Sequence, residues 1–84
     1  MRSDTDYETK DTSLAAFLYL REIKLLDVQW EDSQGVFVFE DSPQLRELVE
    51  TFKTGRGEVS PLLYYRSYKL MIHKLKDAKR GYKL

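Results

Sequence analysis

The chain has 84 residues, of which 42% are hydrophobic and 33% are charged, so it has room for one domain with one core. It contains no cysteine, which excludes disulfides, thiolate zinc sites and a cysteine nucleophile. The formal net charge is zero, but residues 1–60 carry seven Lys and Arg against thirteen Asp and Glu, whereas residues 61–84 carry seven against one. This asymmetry indicates either an anionic partner for the C-terminal segment or mutual neutralisation of the two halves.

The N-terminal segment and the hydropathy pattern bear on location. No apolar run approaches the roughly 18 residues that span a bilayer. Residues 1–6 are acidic and polar and do not have the form of a signal peptide. We therefore expect a cytoplasmic protein without a membrane role, with a disordered tail at residues 1–6 and a single domain at residues 7–84.

The first predicted elements are a short strand at residues 7–9 and a helix at residues 13–22. Asp11 or Thr12 is the expected N-cap, because the side-chain oxygen can accept from the first free helical N–H groups. Spacings of three and four place one apolar set on a single face of this helix: Leu14, Phe17 and Leu18. The neighbouring Ala15 and Ala16 should allow another element to approach closely.

Two strand-like segments follow. Residues 24–30 alternate with period two, which predicts a strand with one buried face. The alternation places three side chains on each face of the strand. One face has Leu26, Val28 and Trp30, and the other has Leu25, Asp27 and Gln29. Residues 31–35 form a turn in which Gly35 is expected at positive φ. Residues 36–39 are apolar on both faces, which is typical of a central strand.

Two helices with the same start signal complete the chain. Ser42-Pro43 combines a capping serine with a proline at the first helical position, and Gly55 should end that helix. Its apolar stripe is Leu45, Leu48, Val49 and Phe52. Ser60-Pro61 begins a second helix of about twenty residues that ends near Gly81. Its buried stripe is predicted to be Tyr64, Tyr68, Met71 or Ile72, Leu75 and Ala78. The resulting β-α-β-β-α-α order predicts an α+β fold, with a two- or three-stranded antiparallel sheet packed by helices.

Two blocks of sequence resemble a known family. They are Lys-Asp-x-x-Leu-Ala-Ala-Phe-Leu from Lys10 and Phe-Val-Phe-Glu-Asp-Ser from Phe37. Together they are similar to a family of small bacterial and phage proteins described only as a domain of unknown function. The resemblance covers roughly residues 7–75 and implies a compact α+β domain, with no catalytic or ligand residue to transfer. The tail beyond Leu75 is expected to be peculiar to this member; its basic residues are Lys76, Lys79, Arg80 and Lys83.

The residue pattern contains no constellation typical of catalysis. His73 is the single histidine and lies among lysines. Gly55-Arg56-Gly57 lacks the length and the Lys-Ser/Thr of a phosphate-binding P-loop. Adjacent acids such as Glu31-Asp32 point to opposite sides of a strand or turn and do not form an acid–base couple. We therefore expect a non-enzymatic binding protein with no catalytic residue, no cofactor, no metal and no small-molecule substrate.

The last helix carries the candidate nucleic-acid interface. Its basic residues recur at spacings of three and four, so they share one face: Arg66, Lys69, His73, Lys76 and Arg80. This face is about 20 Å long at 1.5 Å per residue, long enough to follow several phosphates. The alternatives are a solvated helix face or a clamp on an acidic part of the same chain.

Apolar residues at the start of the same helix suggest a second kind of partner. Leu62, Leu63 and Tyr65 exceed what one helix face can bury in a small monomer, which predicts a protein interface or a homodimer. The strand aromatics leave two alternatives. Phe37 and Phe39 form the core, or with Tyr7 they form an exposed platform on which single-stranded bases stack.

Overall fold

The structure, a computed structural model, describes residues 6–82, with side chains through residue 80. The elements in chain order are β1 (Asp6–Thr9), α1 (Thr12–Leu20), β2 (Leu25–Glu31), β3 (Gln34–Glu40), α2 (Pro43–Lys53) and α3 (Pro61–Tyr82). This order confirms the predicted α+β fold. Of the predicted tail, residues 1–5 lie outside the described residues, whereas Asp6 is the first residue of β1 and pairs with Glu40.

The three strands form one antiparallel sheet in the order β1-β3-β2, so β3 is central as predicted. Phe37 and Phe39 are both 0% exposed and belong to the hydrophobic core, and Tyr7 packs against that core. The alternative of an exposed aromatic platform on the sheet is therefore wrong. Val36 and Val38 alternate to the other face of the sheet, where they are also buried.

β2 departs from the simple alternation predicted for it. A register irregularity lies between Leu25 and Asp27, which places Leu25 opposite Phe39 and leaves Leu26 41% exposed. A β-bulge inserts one extra residue into a strand, and this extra residue interrupts the alternation of side chains between the two faces of the sheet. The prediction that Leu26 lies on the same face as Val28 is therefore wrong, because Leu25 packs against the core beside Val28.

The β2–β3 turn also differs from its prediction. Asp32 and Ser33 have φ values of 49° and 68°, whereas Gly35 does not adopt positive φ. Two consecutive positive φ values fit the two-residue loops whose twist matches that of the flanking strands. Gly35 serves another purpose, because a Cβ there would collide with the side chain of Leu75 in α3.

α1 begins as predicted and ends two residues early. The Asp11 carboxylate accepts hydrogen bonds from the backbone N–H groups of Ser13 and Leu14, at 2.9 and 3.3 Å. The chain leaves the helix at Glu22, which has a φ of 66°. The backbone N–H of Ile23 then donates to the Leu18 carbonyl at 3.1 Å. This is the Schellman arrangement, formed here without the glycine that normally marks it in a sequence.

α2 follows its predicted signals closely. The Ser42 hydroxyl accepts from the backbone N–H of Leu45 at 3.0 Å, and Pro43 occupies the first helical position. Gly55, with a φ of 75°, ends the helix, and the backbone N–H of Arg56 donates to the Thr51 carbonyl at 3.0 Å. The predicted apolar stripe of α2 lies inward, with Leu45, Leu48, Val49 and Phe52 in or against the core.

An ion pair braces the start of α2. The Asp41 carboxylate accepts from Nη2 of Arg46 at 2.8 Å and from Nε at 3.2 Å. This hydrogen-bonded guanidinium lowers the pKa of Asp41, with a further contribution from the backbone N–H of Ser42. Burial, reinforced by the nearby carboxylates of Asp41 and Asp11, raises the pKa of Tyr7. The start of α2 is therefore stabilised by the Asp41–Arg46 ion pair as well as by the Ser42 cap.

α1 and α3 pack side by side through small residues. Ala15 and Ala16 are fully buried, and the Ser67 hydroxyl donates to the Ala16 carbonyl at 2.8 Å. The Tyr64 hydroxyl donates to the Ser13 carbonyl at 3.0 Å. These contacts advance together along both helices, so α1 and α3 run in the same direction. No helix in the described part of the chain is long and apolar enough to cross a membrane.

Candidate nucleic-acid interface

α3 is a long helix with an ordinary capped start. The Ser60 hydroxyl accepts from the backbone N–H of Leu63 at 3.4 Å, and the N–H of Tyr64 donates to the Ser60 carbonyl at 2.9 Å. Pro61 is the first helical residue, so its missing N–H leaves no hydrogen bond unmade. The helix continues for 22 residues. A single element therefore carries both groups of candidate residues.

The inward face of α3 matches the predicted stripe and adds one polar residue. Met71 is fully buried, and the remaining predicted residues are half-buried: Tyr64, Tyr68, Ile72, Leu75 and Ala78. Ser67, which was not predicted to be buried, is 7% exposed. Its hydroxyl forms a hydrogen bond with the Ala16 carbonyl of α1 in place of one with water, so the buried polar group is satisfied.

The C-terminal half of α3 is fixed on the β2–β3 hairpin. The indole Nε1 of Trp30 donates to the carbonyl of Leu75 at 3.0 Å, and the ammonium of Lys79 lies 5.3 Å from the centre of the Trp30 ring. The side chain of Leu75 fills the space above Gly35. The Trp30 hydrogen bond joins residues 45 positions apart in the chain. Together with the packing on α1, these contacts fix the helix along its length and turn its opposite face towards solvent.

The five predicted basic residues are all exposed on that opposite face: Arg66, Lys69, His73, Lys76 and Arg80. Within residues 6–80, none of these side chains forms a hydrogen bond or an ion pair. Lys69 makes one contact, with its ammonium 5.5 Å from the centre of the Tyr65 ring. The described residues thus give no support to the interpretation in which this face clamps an acidic part of the same chain.

The predicted partner residues are divided between two faces of the helix. Leu62 and Tyr65 precede Arg66 and Lys69 by four residues each, so they extend the basic face at its N-terminal end. They are 57% and 58% exposed. We call this combined surface the outer face of α3, and it consists of Leu62, Tyr65, Arg66, Lys69, His73, Lys76 and Arg80.

Leu63 lies on a neighbouring strip of α3 rather than on the outer face. It is 49% exposed, and Leu70, two turns further on, is 37% exposed. Leu70 was not predicted as a partner residue, although the i, i+7 spacing from Leu63 was available to identify it. The helix therefore presents a mixed basic and apolar face beside a short strip that is purely apolar.

Five acidic residues of the sheet lie on the face that points away from the helices. Pairing with β3 and the period-two alternation place five acids on the sheet face that points away from the core: Asp6, Glu8, Asp27, Glu31 and Glu40. The outer face of α3 points in the opposite direction, because α3 packs on the core side of the sheet. These five acids and the basic row of α3 therefore lie on opposite sides of the sheet.

The described residues offer little to other kinds of site. Within them, no group of three His, Cys, Asp or Glu is placed to hold a metal ion. One shallow depression lies between β2 and α3, beside Leu26, Lys74 and Asp77. A second lies along α2 and is lined by Glu47, Glu50, Thr51, Thr54 and Arg56. In the second depression, the hydroxyls of Thr51 and Thr54 donate to the backbone carbonyls of Glu47 and Glu50, at 2.9 and 3.0 Å, and not to a carboxylate.

Fold and surface together define a small α+β protein with an exposed basic helix. A family model for a domain of unknown function (DUF5659) matches residues 4–81. The chain therefore belongs to this family, which confirms the predicted resemblance to a family of unknown function. The match continues through Lys76, Lys79 and Arg80, so the family boundary expected near Leu75 was placed too early. No curated protein and no solved structure matches the chain significantly.

Proposed function

We propose that the protein is a non-enzymatic, intracellular nucleic-acid-binding protein that contacts phosphates through the outer face of α3. The observation that supports this function is the row of five exposed basic side chains, none of which has an acidic partner within residues 6–80. A row about 20 Å long is long enough to contact several phosphates along one strand. Several of the five basic side chains can therefore bind the same strand together.

The distribution of charge supports the same proposal despite the zero net charge. Long-range attraction to a polyanion depends on where charges lie as well as on their sum. With the sheet acids on the far side, the outer face of α3 is the side of lower repulsion for an approaching anion. The protein should therefore bind a polyanion in one orientation, with α3 towards it.

A titration of fluorescently labelled DNA and RNA at low salt tests the proposal. We expect binding by the natural chain and a loss of at least about tenfold in affinity for Arg66→Glu combined with Lys69→Glu, because two attractions become repulsions. The matched control is Lys10→Glu combined with Lys24→Glu, which has the same net charge and changes exposed lysines outside α3. An equal loss in both double variants, or no binding at low salt, would rule out a specific role for α3.

A second candidate function is homodimerisation or another protein interaction. It is favoured by the exposed apolar residues at the start of α3, Leu62, Leu63 and Tyr65, and by the addition of Leu70. Light scattering across a range of concentrations tests self-association. A dimer that dissociates in the Leu63→Glu, Leu70→Glu double variant would support this function, and a strict monomer at high concentration would exclude its self-assembling form.

A further inference from the structure

We infer that the outer face of α3 selects single-stranded nucleic acid, with Tyr65 as the side chain on which a base stacks. The inference rests on the proposed nucleic-acid binding and specifies its ligand. Three observations support it: the position of Tyr65 on the basic face, the exposure of its ring, and the burial of the other aromatic residues.

The first observation is that apolar and basic side chains share one line on the helix. Leu62 and Tyr65 lie one turn before Arg66 and Lys69 on the same face, so a partner that covers the basic residues also covers the apolar ones. A duplex presents mainly phosphates and sugars to such a face, because its bases are stacked inside. A single strand offers flat apolar bases within a few ångströms of its phosphates, which matches both kinds of side chain.

The second observation concerns the Tyr65 ring itself. It is 58% exposed, and the Lys69 ammonium lies 5.5 Å from its centre. A base stacked on the accessible part of this ring would have its phosphate near Lys69. Stacking and charge neutralisation can therefore act on one nucleotide. Leu62, three residues before Tyr65, supplies further apolar surface beside the ring.

The third observation is that no other aromatic side chain in the described residues is as exposed to solvent as Tyr65. Every other aromatic side chain in residues 6–80 is buried or half-buried. The rings that lie nearest to Tyr65 along α3, Tyr64 and Tyr68, face inward and pack against the core. A stacking contact available to a ligand on this part of the molecule therefore depends on Tyr65.

A second copy of the chain is a poorer occupant of the same face. Pairing two outer faces would bring two sets of Arg66, Lys69 and Lys76 together, and like charges in contact disfavour association. Asp77, the single acid in residues 61–84, cannot balance the basic residues that two copies would bring together. The basic residues are instead complementary to a polyanion, and Leu62 and Tyr65 are complementary to a polyanion that also exposes apolar groups.

The experiment compares the natural chain with Tyr65→Leu and Tyr65→Phe on three labelled ligands of equal phosphate number. These are a thymidine single strand, a duplex, and a single strand whose central nucleotides lack bases. We expect the natural chain to prefer the thymidine strand over both others. Loss of one stacked base should weaken the binding of that strand to Tyr65→Leu by about 5- to 100-fold. The Tyr65→Phe variant, which keeps the ring, should stay within about twofold of the natural chain.

The outcomes separate this inference from the proposed function. Equal affinity of the natural chain for the strands with and without bases would overturn the stacking inference and leave phosphate binding by α3 in place. The same holds if Tyr65→Leu binds the thymidine strand as tightly as the natural chain does. Absence of binding to all three ligands would overturn both. The comparison of ligands on the natural chain needs no variant, so it decides the question even if Tyr65→Leu folds poorly.

Discussion

At the scale of single residues, Gly35 determines how closely α3 approaches the hairpin. The residue lacks positive φ, so its importance does not come from backbone freedom. It comes from space, because any Cβ would meet the Leu75 side chain. The adjacent Trp30 hydrogen bond to Leu75 shows that the helix backbone itself reaches the hairpin here.

We therefore expect Gly35→Ala to destabilise the protein by about 1 kcal/mol, the low end of the range for an overfilled packing site, because the Leu75 methyl group can partly move away. Urea unfolding followed by the fluorescence of Trp30, the single tryptophan, measures the change. In the Gly35→Ala background, Leu75→Ala should cost less than it does in the natural chain, because it also removes the collision. Strictly additive effects of the two substitutions would contradict this explanation.

A second prediction at the residue scale concerns pH. Arg46 lowers the pKa of Asp41 in the folded state, so folding favours the ionised carboxylate. The pair should stabilise the protein fully above the ordinary carboxyl pKa of about 3.9, and the contribution should disappear as the pH falls through the lower folded-state value. Thermal unfolding of the natural chain and of Asp41→Asn should therefore differ at pH 7 and converge in strong acid, below both pKa values.

The control for the pH experiment is the Arg46→Gln background. There, Asp41→Asn should have much less effect at pH 7, because the main cause of the lowered pKa is gone. If Asp41→Asn changes stability as much in this background as it does in the natural chain, the stabilisation belongs to another group.

At the scale of elements, the contact between α1 and α3 holds the candidate interface in place. Ser67 and Ala16 are small and fully or nearly buried, which brings the two helices close together. Ser67→Ala removes one hydrogen bond and should cost about 0.5–1.5 kcal/mol. Ser67→Leu should cost more, because its added volume must push the helices apart.

Thermal unfolding by circular dichroism measures both Ser67 variants. Equal stability of Ser67→Leu and Ser67→Ala would contradict the close approach of α1 and α3. The apolar strip on the solvent side gives a comparison site, since Leu63 is 49% exposed. Substitution of Leu63 by Ala should change stability much less than Ser67→Leu does.

Local chemistry explains which elements the sequence predicts well. Ser42-Pro43 and Ser60-Pro61 each combine a cap with a proline, and both begin helices where expected. The four apolar residues from Val36 predict a central strand without reference to any neighbour. Gly55 ends α2 through its own positive φ. In each case, a few adjacent residues contain the whole physical cause.

The features that were not predicted depend on distant residues or on an unusual choice of residue. The bulge at Leu26 follows from how β2 fits β3 and the core, which no window within β2 reveals. Glu22 ends α1 in a conformation that normally indicates glycine. The contact between Trp30 and Leu75 joins two elements whose pairing requires the folded chain.

The five basic residues predicted to share one face of α3 are all exposed, and their binding role stays a prediction. Leu62 and Tyr65 were placed with Leu63 as a separate partner surface. Helix periodicity instead places them on the face of Arg66 and Lys69, and the spacing of four residues was already present in the sequence. Exposure of the ring could not be predicted from spacing, because it depends on what α1 and the hairpin cover.

At the scale of the whole molecule, the protein is a charged body with two opposite sides. The acids of the sheet face one way and the basic row of α3 faces the other. Zero net charge therefore does not mean an electrically uniform surface. This arrangement allows electrostatic binding of a polyanion through one helix while the rest of the molecule stays away from it.

The most direct test of nucleic-acid binding by α3 is the salt dependence of binding to a labelled single strand. Each phosphate contact to a single strand contributes about −0.7 to the slope of the logarithm of affinity against the logarithm of salt concentration. We predict a slope of about −2 or steeper for the natural chain, made shallower by about 0.7 in each of Lys69→Gln and Lys76→Gln and unchanged in Lys24→Gln. A flat salt dependence, or an equal reduction in all three variants, would contradict the claim that the outer face of α3 binds nucleic acid.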